Sequence, residues 1–267
     1  MLLTSLQNRR IKDIRALTLR RERQKTGLFF VEGIRLVGEA IQTFSKIETL
    51  IVVPNQLQSH FGKKLVDRAR SEEIEVLEVS EAVFHKLSNR DGPQGIGAVV
   101  KQDWTDLKTV KPDVGLGWVV LEEVGDAGNL GAILRTGDAV GLAGIILLGD
   151  TTDPYNPQSV RSSMGSIFSQ MIIRTSLEKL VMWKEQFKVP MIGTSDSATI
   201  DYRHARYFPP LLLSLGSEKK GLSKGNFDVC ETVVRIPMVG RADSLNLAVS
   251  AGILLYDVYN RRSSVDE

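Results

Sequence analysis

Short apolar runs alternate with stretches of helical periodicity over the N-terminal part of the chain. Four of the apolar runs have the length of a strand: residues 28–31, 47–53, 74–79 and 96–100. Helical patterns lie between them, at residues 34–44, 56–70 and 81–87. Ser80 directly precedes the last of these helices and is a favourable N-cap. Strands that alternate with helices are typical of an α/β layer, so we expect a small α/β domain over residues 26–100.

Nearly continuous apolar runs characterise the C-terminal part. They lie at residues 118–121, 145–148, 171–173, 191–194, 211–215 and 233–236. Runs without polar alternation are typical of parallel strands that are covered on both faces. A long helical pattern follows the last run, over residues 245–259. Before the first run, residues 101–115 are polar and include Pro112, which predicts a linker. We therefore expect a second α/β domain with a parallel sheet over residues 116–267.

Composition narrows the class of protein. With 267 residues, of which 42% are hydrophobic and 25% charged, the chain has enough apolar material for two compact domains. No uncharged apolar run approaches the length of about 18 residues that indicates a membrane-spanning helix, so we expect no membrane span. Cys230 is the only cysteine, which excludes a disulfide within the chain and a cysteine zinc site. We expect no metal and a reducing, cytoplasmic compartment.

Positive charge is concentrated at the N-terminus. Residues 1–25 carry eight basic and two acidic side chains, a net charge of +6, whereas the whole chain carries +2. A basic leading helix on an otherwise slightly acidic protein is typical of a contact with a polyanion. Two alternatives stay open: a solvated helix without a partner, and an organelle presequence, which Asp13 and Glu22 disfavour.

The loop after residues 118–121 is rich in small and polar residues. Ligands of open α/β sheets bind outside the carboxyl ends of the strands, and this loop leads to Asn129, Gly131 and Arg135. A helix that begins near Asn129 has Arg135 about one and two-thirds turns further along. The plain structural alternative is a capping Asn129 and a surface cation at Arg135. The glycine spacing does not match the dinucleotide fingerprint G-x-G-x-x-G.

Residues 216–223 follow another apolar run and come close to the phosphate-binding pattern G-x-x-x-x-G-K-[ST]. Leu222 occupies the position at which that loop needs a lysine, so a nucleoside triphosphatase is disfavoured. Gly216 still allows a ligand to approach the backbone closely. Glu218 is a candidate functional residue, and its structural alternative is stabilisation of a helix dipole.

The final helix opens after the last apolar run. Ser244 is a favourable N-cap for this helix. Capping does not require Asn246 as well, because an amide side chain has weak propensity for the first turn. Ile236 and Leu245 flank the loop and could sandwich a flat ring, although core packing is the default explanation for either side chain.

Together, the three loops resemble the signature motifs of the SpoU/TrmH family, the RNA 2'-O-ribose methyltransferases of the SPOUT superfamily. The matching residues are Asn129-x-Gly131-x-x-x-Arg135, Gly216-x-Glu218-x-x-Gly221-Leu222, and Ile236-Pro237-Met238 with Ser244-Leu245-Asn246. The similarity covers residues 116–262 and includes a conserved element at residues 161–165. Residues 30–33 and 92–96 are similar to that family's RNA-binding substrate domain. Ala127 replaces a usual proline and Ala248 a frequent serine, which changes only the stiffness of the loops.

The resemblance implies an S-adenosylmethionine-dependent enzyme with a trefoil knot at the C-terminal end of its catalytic domain. It also implies a homodimer in which each active site is completed across the interface. By resemblance, four residues line the adenosyl pocket: Thr194, Gly216, Ile236 and Leu245. Five residues form the catalytic and substrate-facing set: Asn129, Arg135, Glu218, Ser244 and Asn246.

The reaction implied by the resemblance is methylation of a ribose 2'-hydroxyl in structured RNA. That hydroxyl is a poor nucleophile until its proton is shared with a base, and the family suggests that Arg135 engages it. Because a guanidinium normally stays protonated, we expect Arg135 to orient the hydroxyl and to stabilise the developing alkoxide. Large-subunit ribosomal RNA is the expected substrate, and transfer RNA is the alternative. A non-catalytic RNA-binding factor for ribosome assembly is the alternative from another class.

Overall fold

A computed structural model describes residues 2–112 and 115–263 of the chain. Its contacts divide the chain into two compact units. The first unit comprises Met1–Gln102 and Asp153–Ser169, and the second comprises Asp103–Thr152 and Gln170–Glu267. The expected second domain, residues 116–267, differs from the second unit in two ways: the unit already begins at Asp103, and it lacks the segment 153–169. The expected linker, residues 101–115, includes residues 113 and 114, which lie outside the described residues.

The first unit contains a four-stranded sheet with the strand order β1-β4-β2-β3. Its strands are β1 Leu28–Glu32, β2 Ile47–Val52, β3 Glu75–Glu78 and β4 Ile96–Lys101. Its first five helices are α1 Arg9–Ala16, α2 Arg20–Thr26, α3 Ile34–Gln42, α4 His60–Ser71 and α5 Glu81–Leu87. β4 is antiparallel to both of its neighbours, and β2 is parallel to β3. The four predicted strands and three predicted helices are therefore present, and Ser80 caps α5.

The basic leading segment does not form the single helix that was expected over residues 1–25. The helix α1 ends at Ala16 and α2 begins at Arg20, because the apolar Leu17 between them packs into the core of the first unit. Ile11 and Ile14 of α1 are buried in the same core. This segment is thus an integral part of the folded unit.

One of the eight basic side chains of this segment is fully buried. Arg23 is only 1% exposed, and its Nε donates a hydrogen bond to Asp153 Oδ2 at 2.7 Å. Its Nη1 donates to the carbonyl oxygens of Leu17 and Thr18, so the guanidinium is closely surrounded by acceptors. The ion pair ties α2 to the start of the segment 153–169 inside the first unit. Arg23 is therefore a structural residue and does not contribute to a polyanion-binding surface.

The second unit contains a seven-stranded sheet in which every neighbouring pair is parallel, with the order β7-β6-β5-β10-β8-β11-β9. The strands are β5 Gly117–Glu122, β6 Gly144–Leu148, β7 Met171–Thr175, β8 Met191–Thr194, β9 Ile200–Asp201, β10 Leu211–Leu215 and β11 Thr232–Arg235. The remaining helices are α6 Ala127–Ala139, α7 Pro157–Ser162 in the first unit, α8 Leu177–Phe187, α9 Lys224–Asp228 and α10 Leu247–Ser263. All six predicted strands of this part are present. The two-residue β9 was missed because it is too short for an apolar pattern.

The strand order brings the candidate loops to one edge of the parallel sheet. β5 lies beside β10, with Leu121 level with Leu215. β8 is the next strand, followed by β11, with Thr194 level with Val234. The loops that follow these strands therefore leave from neighbouring positions. The α/β fold with a parallel sheet is as predicted, while the trefoil knot stays a prediction.

None of the helices in the described ranges is long and apolar enough to cross a membrane. Nor do residues 2–112 and 115–263 contain a group of three or more His, Cys, Asp or Glu side chains that could hold a metal ion.

Candidate active site

Two of the three candidate loops are joined by a carboxylate. Glu218, in the loop after β10, accepts a hydrogen bond at Oε1 from Asn129 Nδ2 at 3.0 Å. Its other oxygen, Oε2, lies 3.4 Å from the donating backbone nitrogen of Gly125. Glu218 therefore links the loop after β10 to the loop between β5 and α6.

Asn246 connects the third loop to the same group. Its Nδ2 donates to Asn129 Oδ1 at 2.9 Å. Its Oδ1 accepts from the backbone nitrogens of Ala248 and Val249 at the start of α10. Because a carboxylate only accepts hydrogen bonds, Asn129 must turn its nitrogen toward Glu218 and its oxygen toward Asn246. Each amide orientation in this chain of hydrogen bonds is thereby fixed.

The helix caps differ from the expected ones. Ser244 was predicted to cap the final helix, but Asn246 Oδ1 accepts the first backbone N–H groups of α10. The prediction was wrong because serine and asparagine cap about equally well, so local propensity could not choose between them. The cap of α6 is Asp126, whose carboxylate accepts from the backbone nitrogen of Asn129 at 2.7 Å. Asn129 therefore lies in the first turn of α6, and its side chain is free to bond across the loops.

Arg135 does not join this group. It lies on α6, six residues after Asn129, so the two side chains leave the helix in directions that differ by about 120°. The Arg135 side chain is exposed and forms no hydrogen bond or ion pair with any residue of the described ranges. The structure thus brings Asn129, Glu218 and Asn246 together and leaves Arg135 apart from them.

A cleft of about 670 Å³ opens beside these loops. Its lining includes all four residues predicted for the adenosyl pocket: Thr194, Gly216, Ile236 and Leu245. Glu218 and Ser244 of the predicted catalytic set also line it. Asn129, Arg135 and Asn246 are absent from the lining. The cleft therefore has an apolar wall and a polar edge, and the edge carries Glu218.

Steric and conformational constraints explain why the loop after β10 contains glycine at two positions. A Cβ on Gly216 would collide with the backbone of Gly221 and Leu222. Ser217 and Gly221 exchange two backbone hydrogen bonds, of 3.1 and 2.9 Å, which close the loop into a tight turn. Gly221 has a φ of 66°, in the left-handed region that favours glycine. The closed turn holds Glu218 at its tip.

Glu122, the last residue of β5, is a site residue that sequence reasoning missed. Its carboxylate accepts hydrogen bonds from the Ser223 backbone nitrogen at 2.9 Å, Ser223 Oγ at 2.6 Å and Asn226 Nδ2 at 3.1 Å. No local pattern marks Glu122, because its partners are about a hundred residues away in the chain. Their proximity depends on β5 lying beside β10.

Cys230 lies close to this region but is chemically inert. Its Sγ donates to the Asn226 carbonyl oxygen at 3.1 Å. Burial raises the pKa of the Cys230 thiol to about 12, so the nucleophilic thiolate is scarce near neutral pH. Cys230 is a structural residue that packs against the core of the second unit.

Sequence comparison identifies the family. The profile of the SpoU rRNA methylase family matches residues 118–256, slightly more than half of the chain. The chain belongs to the SpoU rRNA methylase family. A second profile, the MRM3-like substrate binding domain, matches residues 8–98. The family predicted from the three loops is thus confirmed, as is a substrate-binding domain at the N-terminal side.

Other SpoU proteins resemble the chain over nearly its full length. The 23S rRNA (uridine(2479)-2'-O)-methyltransferase of Streptomyces viridochromogenes is 31% identical, over 92% of this chain and 87% of its own. The 23S rRNA (guanosine(2553)-2'-O)-methyltransferase RlmP of Bacillus subtilis is 29% identical, over 94% and 96%. A crystal structure of an AdoMet-bound rRNA methyltransferase from Sinorhizobium meliloti has a TM-score of 0.90 and 37% identity, and covers 98% of both chains. Both units of this SpoU protein therefore have counterparts in its relatives.

Proposed function

We propose that this chain transfers a methyl group from S-adenosylmethionine to a ribose 2'-hydroxyl of large-subunit ribosomal RNA. The observation that carries the proposal is the hydrogen-bonded group Glu218–Asn129–Asn246 at the edge of a cleft in a SpoU family member. Both methyltransferase relatives from Streptomyces and Bacillus are named for 2'-O-methylation of 23S rRNA, and both align over more than nine-tenths of this chain. This agreement favours ribosomal RNA over transfer RNA as the substrate.

The cleft fits S-adenosylmethionine. Its volume of about 670 Å³ lies within the range of small-molecule sites. Ile236 and Leu245 provide apolar surface for an adenine ring, while Thr194 and the backbone at Gly216 provide polar groups. The Sinorhizobium meliloti relative is described as AdoMet-bound. We assign these four residues to cofactor binding.

When bound, S-adenosylmethionine supplies an electrophilic methyl group on a sulfonium. The protein must then hold the ribose hydroxyl in line and stabilise the charge that develops on its oxygen. Glu218 and Ser244, at the polar edge of the cleft, are assigned to contact the substrate ribose. Asn129 and Asn246 hold Glu218 in place through their amides. The guanidinium of Arg135, a permanent cation in proteins, orients the hydroxyl and neutralises the developing alkoxide, while the hydroxyl proton passes to solvent water.

The position of Arg135 supports a role for a second copy of the chain. Arg135 does not line the cleft of its own chain, so we propose that it acts in the cleft of a homodimer partner. A suitable contact surface lies on α10, where Val249, Tyr256 and Tyr259 are 51%, 47% and 42% exposed. These three residues lie close to one helical face, because they are separated by seven and three positions. An apolar face of this kind is typical of a protein interface.

A non-catalytic role in ribosome assembly is the weaker alternative. A protein that only binds RNA does not need Asn129, Glu218 and Asn246 to fix one another's side chains beside a cleft. RNA contact is assigned instead to the first unit, where Lys12, Arg15 and Lys25 are exposed basic residues. We propose a cytoplasmic location, where ribosomes of bacteria are assembled.

Calorimetry combined with a methylation assay tests the proposal. The purified protein should bind S-adenosylhomocysteine and transfer the labelled methyl group of S-adenosylmethionine to ribosomal RNA. Arg135→Ala should bind S-adenosylhomocysteine as the wild type does and lose at least about a hundredfold in turnover. A wild-type protein that does not bind S-adenosylhomocysteine would overturn the enzyme assignment. Equal loss of binding and turnover in the variant would overturn the role of Arg135.

A further inference from the structure

Residues 216–222, here called the cleft loop, line the cleft. The Glu122 carboxylate forms hydrogen bonds with the segment that follows this loop. Glu122 ends β5, and its Oε2 accepts from both the Ser223 backbone nitrogen and Asn226 Nδ2, at 2.9 and 3.1 Å. Its Oε1 accepts from Ser223 Oγ at 2.6 Å. Both oxygens of the carboxylate are therefore engaged by donors on one short segment, and the charge strengthens each hydrogen bond.

Ser223 and Asn226 depend on Glu122 as an acceptor, because the oxygen atoms of their own side chains already form other hydrogen bonds. Ser223 caps α9, and its Oγ accepts from the Asn226 backbone nitrogen at 3.2 Å. Asn226 is fully buried, and its Oδ1 lies 3.2 Å from Ser214 Oγ. Within the described residues, Asn226 Nδ2 donates to Glu122. Removal of the carboxylate would leave this buried amide without that acceptor, which is costly.

Ser223 lies where the cleft loop ends. The loop begins after Leu215 of β10, and residues 216–222 contribute to the lining of the cleft. The tight turn between Ser217 and Gly221 fixes the inside of the loop, whereas the hydrogen bonds of Ser223 to Glu122 hold the end of the loop beside β5. Glu122 accepts both of those hydrogen bonds from its place on the neighbouring strand.

We propose that Glu122 is a positioning residue that holds residues 216–222 in the conformation that binds the cofactor. The part that concerns the cofactor rests on the proposed function, whereas the anchoring of the loop does not. Glu122 itself touches neither substrate nor cofactor. It acts through Ser223 and Asn226, and it sets the position of Gly216 and Glu218.

The chemistry of the anchor separates three substitutions. Glu122→Gln can still accept from the Ser223 and Asn226 nitrogens with its oxygen and donate to Ser223 Oγ with its nitrogen. Glu122→Asp keeps the charge, but the side chain is one methylene shorter and cannot reach both residues. Glu122→Ala removes every acceptor. If the Glu122 carboxylate anchors the loop, Glu122→Ala and Glu122→Asp should have strong effects, and Glu122→Gln should have a weak one.

Hydrogen exchange with mass spectrometry and calorimetry on the full-length protein test the proposal. In Glu122→Ala and Glu122→Asp, amides of residues 217–226 should exchange at least about tenfold faster, and S-adenosylhomocysteine should bind about tenfold more weakly. Glu122→Gln should stay within about threefold of the wild type in both measurements. Glu178→Gln serves as the control, because Glu178 is exposed on α8 and forms no hydrogen bond or ion pair with residues 216–226.

The possible outcomes test different parts of the proposal. Unchanged exchange in both Glu122→Ala and Glu122→Asp would overturn the anchor. Faster exchange with unchanged S-adenosylhomocysteine binding would overturn the effect on the cofactor site. Equal damage by Glu122→Gln and Glu122→Ala would also contradict the hydrogen-bond argument. If Glu122→Ala does not fold, Glu122→Asp carries the comparison. If the wild type does not bind S-adenosylhomocysteine, the proposed function fails, and exchange alone decides the anchor.

Discussion

Asn129 and Glu218 are 89 residues apart in the chain, yet the Asn129 amide donates a hydrogen bond of 3.0 Å to the Glu218 carboxylate. The opposite side of the same amide accepts a hydrogen bond of 2.9 Å from Asn246, which is 117 residues away. A single side chain thus joins the loop after β5 to the loop after β10 and to the start of α10. The geometry of the candidate active site depends on this one amide.

Replacement of the amide by a carboxylate should disrupt the group. Asn129→Asp sets two carboxylates about 3 Å apart, which favours a shared proton and disfavours the doubly charged state. We expect a loss of about 1 kcal/mol in the free energy of unfolding, because Glu218 is exposed to solvent, and a loss of about a hundredfold in kcat/KM. Urea unfolding and a methylation assay measure the two effects.

The destabilisation by Asn129→Asp should depend on pH in a defined direction. The paired carboxyl has a higher pKa in the folded state than in the unfolded state, so the folded state is relatively favoured at low pH and loses stability as the pH rises. The difference from the wild type should therefore be larger at pH 8 than at pH 5. Asn55→Asp, at an exposed position of the first unit, is the control. A pH-independent difference would contradict the contact with Glu218.

Two substitutions of Asn246 separate its capping role from its role in the site. Asn246→Asp keeps an oxygen for the backbone nitrogens of Ala248 and Val249, and a negative charge suits the start of a helix. It no longer donates the hydrogen bond to Asn129. We expect near wild-type stability with strongly reduced turnover, whereas Asn246→Ala should also lose about 1 kcal/mol of stability. Thermal unfolding and turnover, measured on both variants, check this order. Equal stability loss in the two would refute the capping role.

Much of the fold could be predicted from the sequence because parallel strands buried on both faces produce continuous apolar runs. The six long strands of the second unit illustrate this, whereas β9 spans only Ile200–Asp201 and leaves no such pattern. The basic leading segment was assigned one helix because its charge pattern dominated. The burial of Leu17 between α1 and α2 was not visible in that pattern.

The candidate residues of the cleft were predicted from the loops that follow the strands and from the family resemblance, but their contacts were not. The bond between Asn129 and Glu218 requires β5 to lie beside β10, and strand order is a tertiary property. The same holds for Glu122, whose partners follow β10. The capping role of Asn246 in place of Ser244 is likewise decided by a bond to a distant loop. Strand-end position and family resemblance therefore identified the candidates, whereas their hydrogen-bond partners depend on which strands are neighbours in the sheet.

Mixed dimers test whether Arg135 acts in the partner's cleft. Gly216→Val should distort the loop that lines its own cleft, because any side chain there collides with the backbone of Gly221. Arg135→Ala keeps its cleft but lacks the cation. If the two inactive variants are unfolded and refolded together, about a quarter of the sites should combine an open cleft with an intact Arg135. Recovery of about a quarter of wild-type turnover is expected, and no recovery would mean that Arg135 acts within its own chain.

The basic leading segment should contribute to RNA binding through a few exposed charges. Lys12, Arg15 and Lys25 are exposed and their side chains form no ion pair among the described residues. Each cation that binds a phosphate adds about one unit to the steepness of log K against log salt. The triple change to glutamine should therefore make this slope shallower by about one to three units.

Filter binding at several salt concentrations measures this slope. Lys179→Gln, on the exposed face of α8 in the second unit, serves as the control. Deletion of residues 1–25 is not a suitable variant, because it removes Ile11 and Ile14 from the core of the first unit. A slope that the triple variant leaves unchanged would refute the polyanion contact.

Mapping ribose methylation on RNA that lacks it tests the proposed enzyme activity itself. Large-subunit ribosomal RNA from a strain without the gene is incubated with the purified protein and S-adenosylmethionine, and nucleosides are then analysed by mass spectrometry. We predict a new 2'-O-methylated nucleotide in this RNA with the wild type and none with Arg135→Ala. A methyl group on a base, methylation confined to transfer RNA, or no methylation of RNA would contradict the proposed function.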